Sequence, residues 1–86
     1  MKNYNYGIEN PSAKLNELMD DLDIEDCYST SCMCRDLATF CKASLAAIDE
    51  GCTEFDDIGC ANLEKAIDLL EEAAHLILTA DEYYRR

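Results

Sequence analysis

The chain has 86 residues, with 19 Asp and Glu against 7 Lys and Arg, and a formal net charge of −12 at pH 7. Such a surface repels nucleic acid and anionic membranes and attracts basic protein surfaces, so direct nucleic-acid binding and membrane association are not expected. The length fits one domain, and 49% apolar residues supply a core and argue against a disordered acidic tail.

Residues 1–9 read as an extended arm carrying Tyr4, Tyr6 and Ile8. The start lacks the apolar stretch of a signal peptide, and no segment approaches the roughly 20 apolar residues of a membrane span. The expected location is therefore cytoplasmic. Asn10-Pro11 reads as a helix start, with Asn at the N-cap and Pro at the first helical position. Leu15, Leu18, Met19 and Leu22 follow at helical spacing. The predicted first helix covers 11–22 and is too short to stand without docking on something.

Residues 23–29 form an acidic connector, and Ser29-Thr30-Ser31 offers three N-caps for a second helix over 31–50. Its packing face is Cys34, Leu37, Cys41, Leu45 and Ile48, widened by Met33, Ala38 and Phe40. Gly51 sits where a C-cap glycine belongs. Thr53 is the expected N-cap of a third helix over 54–83, with Glu54, Asp56 and Asp57 in its first turn and Gly59 weakening its opening. Leu63, Ile67, Leu70, Ala74 and Ile77 form its main stripe, and further apolar positions beside them require neighbours on two sides.

These lengths predict an all-α fold: a short N-terminal helix plus a long antiparallel helical hairpin. At 1.5 Å per residue the third helix overshoots the second by about 15 Å. The first helix and a second chain are the expected cover, so the helical bundle is completed by homodimerisation. Tyr83 and Tyr84 fall toward the Tyr28 end of such a hairpin, which allows one aromatic patch.

Six cysteines in a chain without a secretion signal are expected to be reduced. Cys34 and Cys41 share the apolar face of the second helix and Cys60 heads the stripe of the third, positions where cysteine acts as a small hydrophobe. A sharper alternative is a thiol or metal site of Cys27, Cys32 and Cys34 near a helix start, where thiolates are favoured. The spacing C-x4-C-x-C lacks the C-x2-C pairs of zinc sites, and the single histidine, His75, is far along the chain. No metal or other cofactor is expected.

The acids gather in two places. Glu17, Asp20, Asp21, Asp23, Glu25 and Asp26 lie within ten residues, and Asp49, Glu50, Glu54, Asp56 and Asp57 surround the turn. Asp21-x-Asp23-x-Glu25 begins like a calcium loop, but Asp26 stands where its glycine belongs and Cys32 where its glutamate belongs, so an EF-hand is rejected. With one histidine, no glycine-rich phosphate loop and no G-x-S-x-G, the chain is expected not to be an enzyme. The bland reading of the acids is a solvated surface with helix-start carboxylates. The functional reading is a pair of patches that imitate nucleic-acid phosphates or dock on a basic groove of a protein partner.

In size and charge the chain resembles small acidic phage inhibitors of host nucleases, anti-CRISPR proteins included. This is a resemblance of composition without a motif, so it assigns no residues. It implies an inhibitor that occludes a basic nucleic-acid-binding surface, acting in a host cytoplasm. The alternative is a homodimeric structural or regulatory module whose dimer surface is its function.

Overall fold

A computed structural model describes residues 6–86. It is all-α, with three helices and no strand among the described residues: α1 (Pro11–Leu22), α2 (Cys27–Ala46) and α3 (Asp57–Ala80), followed by a 3-10 turn over Glu82–Arg85. Of the N-terminal arm, residues 1–5, Tyr4 among them, lie outside the described residues. Tyr6 and Gly7 form a turn rather than extended chain, both at positive φ (55° and 73°).

Pro11 opens α1, its fixed φ suiting the first helical position. Asn10 occupies the N-cap position but takes a left-handed conformation and makes no side-chain cap. The helix closes on Asp23 at φ 53°, where Asp23 N–H donates to Asp20 O and Ile24 N–H donates to Met19 O at 3.0 Å. That pairing satisfies carbonyls the helix leaves open. Leu15, Leu18 and Leu22 are exposed and only Met19 is half-buried. The helix lies along neither α2 nor α3.

Helix α2 starts at Cys27, four residues before the position the hydroxyl cluster predicts. The cap is Asp26: Ser29 N–H donates to Asp26 Oδ1 at 2.9 Å, and Asp26 N–H donates to Ser29 Oγ at 3.0 Å. This reciprocal pair satisfies donors on both sides of the helix start, so it wins over caps at 29–31, which would leave the first turn unformed. Replacing Asp26 with Ala is expected to cost about 1 kcal/mol of stability in urea unfolding, and Asp26→Ser much less because serine also caps.

Helix α2 ends at Ala46, and residues 47–51 tighten through 3-10-like bonds to Gly51, whose φ of 75° requires glycine or a strained residue. Thr53 is not a helix cap. Its hydroxyl donates to Ser44 O at 2.6 Å and ties the turn back to α2. The cap of α3 is Asp56, whose Oδ1 accepts from Gly59 N–H at 2.7 Å. A Cβ on Gly59 would sit 3.1 Å from that oxygen and 3.3 Å from Phe55 Cβ, so the glycine makes room for the cap.

Helices α2 and α3 pack along each other, the start of α2 beside the end of α3. On α2 one row withdrawn from solvent is Cys27, Ser31, Cys34, Ala38, Cys41, Leu45 and Ile48, alternating four and three apart across the helix and the turn after it; Met33 and Ser44 beside it are half-buried as well. On α3 the matching row is Cys60, Leu63, Ile67, Leu70, Ala74 and Ile77, at the same spacing, with Ala66 and Ala73 half-buried beside it. Only Ser31, Ala38, Ile67 and Ala74 are fully buried among the described residues. Three of these four are small, which lets the backbones approach closely. Ser31 Oγ then reaches across to donate to Ala74 O at 2.7 Å, so the buried hydroxyl is satisfied. Leu37 and Phe40, placed on or beside the packing face by periodicity, are 50% and 70% exposed.

The molecule is elongated. Its radius of gyration is 16.5 Å, against about 12 Å for a compact domain of this length. Its accessible surface is 7043 Å², about 1,900 Å² above that of an average monomer of this mass.

Candidate protein-binding surface

The first acid cluster sits where α1 meets α2. Glu17, Asp20 and Asp21 are exposed on α1, Asp23 ends that helix, Glu25 is exposed in the connector, and Asp26 caps α2. Glu17 is 3.8 Å from Lys14, a surface pair of small energetic value. The second cluster sits at the opposite end of α2: Asp49 and Glu50 in the tight turn, Glu54 in the connector, Asp56 and Asp57 at the start of α3. All eleven side chains are exposed. Asp26 and Asp56 also serve as caps, so their placement has a structural cause independent of any partner. The twenty residues of α2, about 30 Å long and slightly less than one turn of duplex DNA, separate Asp26 from the turn that carries Asp49 and Glu50.

The first cluster also borders an apolar groove that sequence reading did not reveal. Leu15 and Met19 of α1, Ile24, and Cys27 and Thr30 of α2 line about 280 Å³, with Glu25 and Asp26 at its edge. Periodicity finds the apolar side of each helix but not the angle at which the left-handed Asp23 swings α1 away from α2.

Another cleft, of about 340 Å³, lies on the polar side of the α2–α3 pair, lined by Arg35, Ala38, Thr39, Lys42 and Glu71. Lys42 Nζ is 2.7 Å from Glu71 Oε1, so its charge is already matched. His75 is exposed on α3.

The six cysteines are unpaired thiols, Cys52 exposed and the others half-buried. Among the described residues no three of His, Cys, Asp and Glu are gathered to hold a metal ion. Cys27 and Cys34 belong to the row facing α3, and the Cys27, Cys32 and Cys34 set does not converge.

Three tyrosines, Tyr28, Tyr83 and Tyr84, form a cluster at the end of the α2–α3 pair. Tyr28 and Tyr84 stack with centroids 6.1 Å apart, and Tyr83 meets Tyr84 edge-on at 5.0 Å. Asp81 holds the 3-10 turn, accepting from Tyr83 N–H at 3.0 Å. Partial removal from water, and then the carboxylates of Asp26 and Asp81, raise the Tyr84 hydroxyl above its usual pKa.

No protein-family model matches the chain, and no similar protein was found among the curated proteins or the solved structures. No helix among the described residues is long and apolar enough to cross a membrane.

Proposed function

We propose that this chain is a non-catalytic binding protein that uses its acidic ends to occupy a basic, nucleic-acid-binding surface of a protein partner, as an anti-CRISPR-like inhibitor does. The observation that carries the reading is the spacing of two exposed carboxylate clusters at opposite ends of α2. A groove that binds duplex presents cations over a comparable length, and carboxylates carried on helices and their caps avoid part of the entropy cost of ordering a flexible acidic tail. The apolar groove beside the first cluster supports the same reading, because binding surfaces combine a desolvated anchor with a charged rim. The site of action in this reading is the cytoplasm of the cell that holds the partner.

The test is capture of partners from host lysate at 50 and 300 mM salt, followed by competition with nucleic acid on the purified partner. The expected result is binding that weakens at least tenfold across that range, because screening shortens the reach of the clusters. Nucleic acid should be displaced from the partner. Asp20→Asn, Asp21→Asn, Asp49→Asn and Glu50→Gln together should weaken binding by roughly 100-fold while leaving both caps in place. Binding that is flat in salt, or a partner that still holds its nucleic acid, would falsify the reading.

A second reading is favoured by a different observation. Leu37, Phe40, Leu69 and Leu76 are each at least half exposed. In this reading α2 and α3 are an antiparallel hairpin, the working unit is a homodimeric helical bundle, and the charge keeps it soluble.

A further inference from the structure

Each helix of the α2–α3 pair carries a second apolar row, one residue before the row that faces its neighbour. On α2 it is Met33, Leu37 and Phe40, continued by the uncharged Ser44, with Met33 and Ser44 half-buried. On α3 it is Ala66, Leu69, Ala73 and Leu76, with the same four-three alternation. One residue earlier is a rotation of about 100° on either helix. Because the start of α2 lies beside the end of α3, the chain directions are opposed. Equal steps in sequence then turn both second rows to the same side of the pair. The ion pair of Lys42 with Glu71 agrees, since each lies one residue after an inward position and the two meet on the other side.

One side of the pair is therefore charged, and the other presents two adjacent apolar rows. None of the eight positions in those rows is charged, in a chain where 30% of residues are. Leu37, Phe40, Leu69 and Leu76 are 50%, 70%, 51% and 59% exposed on this side.

We propose that this face pairs with the same face of a second copy, forming a four-helix bundle in which α2 of each chain lies against α3 of the other. The inference rests on the homodimeric reading and adds the surface and its orientation. Three observations choose a second copy. The surplus accessible area of the whole chain, about 1,900 Å² shared between α1 and the α2–α3 pair, leaves room for the roughly 800 Å² that each partner of a stable dimer buries. The face is uncharged, so two copies at −12 each meet where repulsion is least. It is also self-complementary, as a two-fold interface must be.

That last point follows from the register. Ser31 beside Ala74 puts Phe40 within one residue of the level of Ala66, Leu37 of Leu69 and Met33 of Ala73. A two-fold axis along the helices keeps those levels. The bulky row of α2 then meets the alanine-bearing row of α3 in the other chain, and all neighbouring helices run antiparallel, which also opposes their dipoles.

Analytical ultracentrifugation of the full chain, with a photo-crosslinking residue at position 40, tests this. The wild-type chain should dimerise, and raising salt should hold or tighten the dimer, the opposite of its effect on binding a basic partner. Phe40→Glu and Leu69→Glu should each weaken the dimer about 100-fold or more, with helicity unchanged because both side chains are exposed in one chain. Thr39→Glu adds the same charge on the other side and should leave the dimer intact. The crosslinker should capture α3 of the second copy near Ala66.

A monomer at millimolar concentration would sink the homodimeric reading and this inference together. A dimer that survives both glutamates would spare the homodimer and overturn the face. A crosslink to α2 of the second copy would overturn the orientation.

Discussion

Replacing Ile67 with Ala is expected to cost about 2–4 kcal/mol in denaturant unfolding at one fixed protein concentration. Ile67 is 9% exposed and is the only large side chain among the four buried residues described. The register set by Ser31 beside Ala74 puts Ile67 level with Ala38, whose small side chain cannot fill the space it leaves. A chain of 86 residues has about 4–13 kcal/mol of stability in all, so this one truncation removes a large share. The melting temperature should fall by roughly 10–20 °C. Leu69→Ala, two residues along on the exposed row, should change monomer stability by less than about 0.5 kcal/mol. A small effect at Ile67 would mean that the α2–α3 contact does not carry the fold.

Replacing Ala74 with Leu acts by the opposite route and should cost about 3 kcal/mol. Ala74 is 0% exposed, and its carbonyl accepts the Ser31 hydroxyl at 2.7 Å. The added carbons have no space unless α2 and α3 move apart. Moving them apart strands the Ser31 hydroxyl and the Ala74 carbonyl without their bond. Ala61→Leu, an equal change on an exposed position of the same helix, should stay within about 0.5 kcal/mol. Ser31→Ala should cost about 1 kcal/mol, the value of the bond alone. Equal effects at positions 61 and 74 would show that the helices are not in close contact at Ala74.

The two acid clusters, at either end of the second helix, were legible in the sequence; which of their carboxylates cap a helix was not. Asp26 and Asp56 each cap a helix and also belong to a cluster. The charge variants offered above spare both, so weaker binding cannot be blamed on an unravelled helix start. Asp26→Ser makes the complementary test, removing charge while keeping a cap.

The sequence by itself determined the helical class, the bounds of α1, the glycine turn at 51, and the fact that α3 is apolar over more than one row. Those features are local: proline fixes φ, glycine alone takes a positive φ without strain, and the spacing of apolar residues follows the helical repeat. The start of α2 was less legible, because three hydroxyls in a row each have the chemistry of a cap, while Asp26 and Ser29 act only as a pair.

Tertiary structure decided which row faces inward. On α2 the rows beginning at Met33 and Cys34 have the same period and differ by one residue, so periodicity marks an arc and cannot divide it. The row with Ser31, Cys34, Ala38 and Cys41 is the buried one. Its small side chains admit close approach of α3 and let one hydroxyl reach a carbonyl 43 positions away. That choice leaves Leu37 and Phe40 outside, on the face assigned above to a second copy.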